Sequence, residues 1–152
     1  MTVSARLAEL GLIIPAVAKP VASYVPATTT GNLVFTAGQL PFVDGQLPAT
    51  GKVGAEVTAE DAKGYARTAV LNALAAVETA IGSVDRITKI VKLVVFVSSA
   101  PEFSGQPGVA NGASDTLVEI FGDAGLHARS AVGVAVLPLD APVELELIVE
   151  YK

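Results

Sequence analysis

The fold of this chain is decided by a stretch near its end. It reads His-Ala-Arg-Ser-Ala-Val-Gly-Val-Ala-Val-Leu over residues 127–137, Pro-Leu-Asp-Ala-Pro over 138–142, and Val-Glu-Leu-Glu-Leu-Ile-Val-Glu-Tyr over 143–151. In both flanking runs the side chains alternate in character with every residue. A period of two predicts two half-buried strands joined by a loop that contains proline.

We expect these strands to pair as an antiparallel hairpin across residues 137–142, with Ala135 opposite Glu144 and Ala131 opposite Ile148. One face of this hairpin is then apolar and packs against helices. The other face combines very small side chains with an arginine and several carboxylates. The pattern therefore predicts one sheet face that is covered and one that is open.

Arg129 lies on the predicted open face, among alanine and glycine residues that leave room beside it. A guanidinium in such a place suits recognition of a carboxylate, because its planar group can form two parallel hydrogen bonds. The periodicity alone favours the simpler interpretation, a solvated face with an exposed arginine. In the expected register Arg129 and Glu144 share this face about 20 Å apart. If they act together, they do so across a subunit interface.

The composition limits the class of protein. The chain has 152 residues, and this length predicts a single domain over 1–152. Within this domain we expect residues 1–23 to form an N-terminal helix and an extended arm. Hydrophobic residues make up 51% and charged ones 16%, with a mean hydropathy of +0.56. This is apolar for a soluble monomer, so we expect a buried subunit interface. With no apolar run near 18 residues and no convincing signal peptide, we predict a cytoplasmic protein that does not contact a membrane.

The rare residue types exclude several kinds of chemistry. No cysteine is present, which excludes disulfides, thiolate metal sites and a cysteine nucleophile. The single histidine argues against a histidine metal cluster and against a Ser–His triad. A net charge of −5 and a pI near 4.8 argue against a nucleic-acid partner. We therefore predict no metal site and no nucleic-acid binding.

In the first half of the chain, residues 4–10 predict a short helix ended by Gly11. A strand over residues 32–39 follows a Thr-Thr-Thr-Gly turn, and residues 41–54 predict a long loop that contains a hairpin. The clearest helix begins after Thr58 and ends at Gly82, because Thr is a good N-cap and glycine suits the C-terminal position.

In the second half, residues 87–97 form an almost continuous apolar run that predicts a central strand. A loop over residues 98–110 and a second helix from Ser114 to Phe121 should follow. This order predicts an α+β two-layer sandwich, in which a mixed sheet is covered on one face by two helices.

Several short motifs together resemble the RidA (YjgF-like, endoribonuclease L-PSP) family, and they span the chain from Tyr24 to its C-terminal strand. The resemblance implies a chorismate-mutase-like fold, a homotrimer, and ligand clefts between subunits. It also implies hydrolysis of reactive enamines and imines to 2-oxo acids and ammonia without a cofactor. The motifs are Tyr24, Thr36-Ala37-Gly38-Gln39-Leu40-Pro41, Val94-Val95-Phe96-Val97, Ala128-Arg129-Ser130, Leu137-Pro138 and Val143-Glu144-Leu145-Glu146.

The resemblance also implies roles for individual residues. Arg129 would hold the substrate carboxylate, and Glu144 would position or activate a water molecule. Tyr24 would line the cleft from the neighbouring subunit, and the backbone at Gly38 would lie along the substrate. Further substrate-binding candidates are Ala37, Phe96, Asn111, Ser114 and Ala131.

This chain departs from the family pattern at several positions. Ala37 stands where a serine is usual, Ala131 where a cysteine is frequent, and His127 where a proline is common. The N-terminal helix adds to these differences and indicates a distinct subgroup. For His127 we favour a structural role, and for Tyr24 a buried core position is as good an interpretation as a site role.

Three functions are compatible with these residues. The first is an imine or enamine deaminase at a trimer cleft, which needs both Arg129 and Glu144. The second is a regulatory protein that binds a small carboxylate in the same cleft without turnover, for which Arg129 suffices. The third is a ribonuclease, as the older family label suggests, and the acidic pI argues against it.

Overall fold

The computed structural model describes residues 1–17 and 22–152, and contains one five-stranded mixed sheet in the order β1-β2-β5-β3-β4. All neighbouring strands are antiparallel except β3 and β4, which are parallel. The strands are β1 (Ala27–Thr30), β2 (Leu33–Thr36), β3 (Ile87–Ser98), β4 (Ala128–Val134) and β5 (Val143–Tyr151). The helices are α1 (Val3–Glu9), α2 (Ala59–Ile81) and α3 (Gln106–Phe121). Residues 18–21 of the predicted arm lie outside the described residues.

Helices α2 and α3 pack together on one face of the sheet, α2 mainly on β5 and α3 on β3 and β4. This confirms the predicted α+β architecture with a mixed sheet covered on one face. The short helix α1 packs on α3, where Arg6 donates a hydrogen bond from Nε to the carbonyl of Glu119 at 2.9 Å. In the described residues no helix is long and apolar enough to cross a membrane.

Helix α2 forms as the sequence predicts. Thr58 caps it by accepting a hydrogen bond from the Asp61 amide at 3.1 Å, and Gly82 ends it in the left-handed conformation with φ +88°. Its buried side is rich in alanine, so the helix lies close to the sheet and to α3. The buried alanines are Ala62, Ala66, Ala69, Ala73, Ala75 and Ala76.

Helix α3 begins at Gln106, whereas the sequence predicts its start at Ser114. Pro107 lies in the first turn, where its fixed φ suits a helix and its missing N–H is not needed. One of the glycines that made this segment look like a loop is accommodated by packing. Gly112 lies directly against the backbone carbonyl of Lys63 on α2, and a side chain would not fit there.

The Thr-rich segment predicted as a turn is strand β1. Ala27 pairs with Thr36 and Thr30 with Leu33, and the actual turn is formed by Gly31, with φ +56°, and Asn32. Threonine is β-branched and favours strands. The strand propensity of this segment therefore outweighs its turn-like composition.

The predicted hairpin of the last two strands is wrong, because β3 lies between β4 and β5. Leu93 of β3 pairs with Arg129 on one side and Leu147 on the other. The expected pairs of Ala135 with Glu144 and of Ala131 with Ile148 do not form. Alternation predicts that a segment is a strand but does not identify its neighbour.

The observed strand pairing also places Arg129 and Glu144, which were expected to share a face, on opposite faces of the sheet. Residues paired across a sheet point to the same side, so Arg129 lies on the side of the buried Leu93, towards the helices. Glu144 pairs with Phe96 on the opposite, helix-free face. That face exposes apolar side chains such as Phe35, at 38%, and Val132, at 45%.

Candidate functional site

Arg129 extends from edge strand β4 towards helix α3. Its Nη1 donates hydrogen bonds to Oδ1 of Asn111 at 2.7 Å and to Oγ of Ser114 at 3.1 Å. Asn111 and Ser114 are three residues apart, so they lie on one face of the helix. The family resemblance named both residues as substrate-binding candidates, and both hydrogen-bond to the guanidinium.

No carboxylate pairs with Arg129 in the described parts of the chain. The ion pairs found there are Arg6 with Glu9 and Arg67 with Glu119. Arg129 is instead held by an amide and a hydroxyl, which are neutral, while its guanidinium keeps its charge at any ordinary pH. A cation that is fixed in place and not neutralised is suited to bind an anion.

His127 completes this group of residues, which we call the Arg129 cluster: Arg129, Asn111, Ser114 and His127. Its Nε2 is 2.9 Å from Oγ of Ser114, and its Nδ1 is 2.6 Å from the carbonyl oxygen of Gly125. The composition argued against a Ser–His triad. In the structure Ser114 and His127 do contact each other, and the other ring nitrogen of His127 faces a backbone carbonyl where a triad would have a carboxylate. One signal was available: His127 and Arg129 are two residues apart on an extended segment and therefore share a side.

Glu144 belongs to a second group on the helix-free face, the Glu144 cluster of Glu144, Gly38 and Phe96. Its carboxylate lies over Gly38, where an added Cβ would be 2.9 Å from Cδ of Glu144. Glycine at position 38 therefore allows the carboxylate to come close to the backbone. Phe96 is the cross-strand neighbour of Glu144 and is half-buried.

A bulge between β2 and β5 shapes the Glu144 cluster. Phe35 pairs with Ile148 and Gln39 with Leu145, so β2 has one residue more than β5 over this interval. The Oγ1 of Thr36 replaces a backbone acceptor and takes a hydrogen bond from the Leu147 amide at 3.0 Å. The bulge lies next to Gly38, whose backbone faces the carboxylate end of the Glu144 side chain, and the preceding Ala37 is half-buried.

The surroundings of Glu144 disfavour its charged form. Partial burial raises the pKa of Glu144, and the nearby carboxylate of Glu146 raises it further. A carboxyl group whose pKa is raised towards neutral pH is better suited to exchange protons with a substrate or with water.

Tyr24 does not join either cluster within one chain. It precedes β1, at the sheet edge opposite β4, and is 56% exposed, so the interpretation as a buried core aromatic is wrong. Ala131 is half-buried against the core, on the helix side of β4. The predicted substrate-binding residues are thus divided between separate regions of the chain.

The two clusters do not meet within one chain. Across the sheet, Arg129 of β4 lines up with Leu147 of β5, which is two strands away. Leu147 is three residues along β5 from Glu144. The Cα positions of Arg129 and Glu144 are therefore about 14 Å apart, with side chains on opposite faces. No group of three or more His, Asp or Glu side chains in the described residues could hold a metal ion.

Comparison with known proteins supplies the family. The family model described as "YjgF/chorismate_mutase-like, putative endoribonuclease" matches residues 4–151. The chain belongs to this family. The resemblance predicted from the motifs is confirmed, and the fold of the YjgF family agrees with the sheet and helices described above.

Individual YjgF-family relatives match almost the whole chain. Protein TCP17 of Trypanosoma cruzi is 43% identical over 151 residues, which is 99% of this chain and 94% of the relative. A crystal structure from Shewanella oneidensis matches with a TM-score of 0.94 and 35% identity over 99% of both chains. The E. coli protein TdcF, solved with bound serine, matches with a TM-score of 0.67 and 27% identity over 90% of this chain and 94% of its own.

Proposed function

We propose that this protein hydrolyses small enamines or imines that carry a carboxylate, releasing a 2-oxo acid and ammonia. The observation that carries the proposal is the Arg129 guanidinium, held by Asn111 and Ser114 without a carboxylate partner in the described residues. The guanidinium is therefore preorganised to bind a substrate carboxylate. The E. coli relative TdcF, solved with bound serine, supports a ligand of this size and chemistry.

The proposed reaction needs one water molecule and one group that moves a proton. Water adds to the imine carbon, the carbon–nitrogen bond then breaks, and the nitrogen leaves as ammonia while the carbon becomes a ketone. Glu144 would take a proton from the attacking water and return it to the leaving nitrogen. Its raised pKa favours this role, because proton transfer is most effective when the pKa lies near the working pH.

We further propose that the protein is a homotrimer and that Arg129 and Glu144 meet between subunits. Glu144 lies on the helix-free sheet face, which exposes Phe35 and Val132 and is suited to burial against another copy of the chain. Tyr24 would approach from a neighbouring subunit. Gly38, Ala37, Phe96 and Ala131 would line the same cleft.

A second function uses the same residues without turnover. The Arg129 cluster is complete within one chain and needs only Asn111 and Ser114 to hold the guanidinium. A regulatory protein that binds a small carboxylate would need no more than this. Glu144 distinguishes the two functions, because only the hydrolase requires it.

The test generates 2-iminopropanoate in situ with an amino-acid oxidase and measures the ammonia released by the trimer. We expect wild type and Arg67→Ala to accelerate release equally, since the Arg67 guanidinium bonds to Thr116 and Glu119 of α3 and to no residue of either cluster. Arg129→Ala and Glu144→Gln should lower the acceleration at least about a hundredfold. Light scattering and circular dichroism establish that each variant is assembled and folded.

Two results decide between the functions. Turnover that survives in a folded Arg129→Ala protein would overturn the assignment of Arg129 as the anchor. If wild type itself does not turn over substrate, yet binds pyruvate in a way that Arg129→Ala abolishes, the protein is a carboxylate-binding module and Glu144 has no catalytic role.

A further inference from the structure

The hydrogen-bond partners of His127 determine which of its ring nitrogens donates and which accepts. The carbonyl oxygen of Gly125 can only accept, so the proton of the neutral ring is on Nδ1. Nε2 then has a lone pair and accepts from the Ser114 hydroxyl at 2.9 Å. The same hydroxyl oxygen accepts from Nη1 of Arg129 at 3.1 Å. With a neutral ring, the Ser114 hydrogen therefore points at His127 and away from any ligand of Arg129.

We propose that His127 is a positioning residue of the carboxylate site, acting through Ser114, and that a small carboxylate bound at Arg129 draws a proton onto His127. This inference rests on the proposed role of Arg129 as the anchor. It adds a residue for which the sequence favoured a structural role. It also names a property of the site, proton-linked binding, that neither Arg129 nor Glu144 requires.

Protonation of the ring would reverse the direction of the Ser114 hydroxyl. Imidazolium carries hydrogens on both nitrogens, so Nε2 would donate to Ser114 Oγ instead of accepting from it. The Ser114 hydrogen is then free and can be donated to the bound carboxylate. The ligand gains a hydrogen bond beside Arg129, and the proton comes from the solvent.

In the described residues no negative charge lies next to His127, so a bound carboxylate would supply the anion that favours its protonation. Strand β4 contributes the cation Arg129, and α3 contributes the neutral Asn111 and Ser114. The carboxylates nearest along the chain are Asp123, Glu119 and Asp115, all exposed, and Glu119 pairs with Arg67. None lies within 4.0 Å of the ring in the described residues. Glu144 would approach only from the neighbouring subunit of the proposed trimer. A bound carboxylate would offset the charge of Arg129 and attract the proton on His127.

The coupling between ligand binding and protonation of His127 can be measured either through the affinity for the ligand or through the protonation of the ring. If the ligand favours protonation of His127, protonation favours the ligand by the same factor. We therefore expect pyruvate, used as a stable probe, to bind about fivefold more tightly at pH 5.5 than at pH 8. A site that used Arg129 alone would bind pyruvate equally at both values, because the guanidinium stays charged.

The chain offers a direct probe, because His127 is its single histidine. One imidazole resonance in ¹⁵N NMR therefore reports His127 without further assignment. At high pH we expect the nitrogen shifts of the tautomer protonated on Nδ1. Saturating pyruvate should move the titration midpoint of this resonance to higher pH in wild type and leave it unmoved in Arg129→Ala.

Three variants separate positioning from simple packing. His127→Gln can still hydrogen-bond to Ser114 but cannot take up a proton. In a Glu144→Gln background, which removes the other titrating group of the proposed cleft, its affinity for pyruvate should therefore be the same at both pH values, while Glu144→Gln alone should keep the pH dependence. Ser114→Ala should retain binding through Arg129 and reduce the shift of the His127 midpoint, because only the direct attraction between the carboxylate and the ring remains. Ser114→Thr keeps the hydroxyl and should restore the full shift.

The possible failures are distinguishable. Pyruvate binding that depends on Arg129 but is equal at both pH values, with an unmoved His127 resonance, overturns the role of His127 and leaves the carboxylate anchor standing. If the folded wild-type protein binds no pyruvate at either pH, the proposed anchor fails and this inference fails with it.

Discussion

The carboxylate of Glu144 lies over Gly38 so closely that a side chain at position 38 would overlap it. The overlapping atoms are at the far end of a flexible side chain, so Glu144 can turn away at little cost. Gly38→Ala should therefore leave the unfolding temperature within about 3 °C of wild type. It should lower imine hydrolysis at least about tenfold, because the displaced carboxylate no longer meets the reacting water.

Gly64→Ala is the matched control for this substitution. Gly64 lies within α2 with open space around it, so alanine there should add about 0.5–1 kcal/mol to the free energy of unfolding and leave activity unchanged. Full activity in Gly38→Ala would show that the position of Glu144 is irrelevant to the reaction.

Glu144→Gln should stabilise the protein at neutral pH. The pKa of Glu144 is raised above its ordinary value of 4.5, so the folded state binds a proton more tightly than the unfolded state. Between that value and the raised pKa, stability falls as the pH increases, and above this range the charged carboxylate remains a cost. The neutral amide removes this cost while it lowers hydrolysis.

Urea unfolding at pH 4 and pH 7.5 measures the effect. The gain in the midpoint should appear at pH 7.5 and be much smaller at pH 4, where the carboxyl is largely protonated in both states. An equal gain at both pH values would mean that the substitution acts through packing and not through charge.

Asn111→Asp should weaken carboxylate binding more than Asn111→Ala. Oδ1 of Asn111 accepts from Arg129 at 2.7 Å, so an aspartate there would pair with the guanidinium and neutralise it. We expect at least about tenfold weaker binding of pyruvate in Asn111→Asp and a smaller loss in Asn111→Ala. Titration calorimetry compares the two, and equal losses would argue against charge as the basis of recognition.

Gly112→Ala should destabilise the fold although it replaces a glycine inside a helix. The added Cβ would meet the backbone carbonyl of Lys63, which cannot move without separating α2 from α3. Such overpacking costs about 1–3 kcal/mol. Gly108→Ala, in the first turns of the same helix with open space around it, should be neutral or slightly stabilising. Urea midpoints for the pair check this, and similar values would contradict the close contact.

Val132→Lys should dissociate the proposed trimer. Val132 is 45% exposed on the helix-free sheet face, whereas Val118 is 38% exposed on α3. A lysine at position 132 would place an unpaired charge in the subunit interface, while Val118→Lys should keep the wild-type mass. Light scattering distinguishes the two, and an unchanged mass in Val132→Lys would remove that face from the interface.

The parts of the fold that were predicted from the sequence depend on local signals. The N-cap at Thr58, the glycine at position 82 and the alanine-rich face between them defined α2 without reference to the rest of the chain. The start of α3 was missed because Gly108 and Gly112 are poor helix formers. Packing against α2 compensates for this at Gly112, and such compensation is not visible in a local pattern.

The candidate site was predicted only in part, because its geometry depends on strand order. The residue types identified Arg129 and Glu144 as chemically suited groups, and the family resemblance added Asn111, Ser114 and Gly38. Alternation alone could not show that β3 separates β4 from β5, so both the shared face and the distance were wrong. The contact of His127 with Ser114 was missed because it joins a helix to the start of a strand, a relationship that no short motif records.

The position of β5 in the sheet has a consequence for how the chain folds. Strands β1 and β2 pair with each other, and β3 pairs with β4 around α3, but these two halves of the sheet have no strand contact until β5 enters between them. Strand β5 is the last of these five strands in chain order. The sheet therefore cannot be completed during synthesis until residues 143–151 have emerged, and until then the edges of β2 and β3 that β5 fills have no partner.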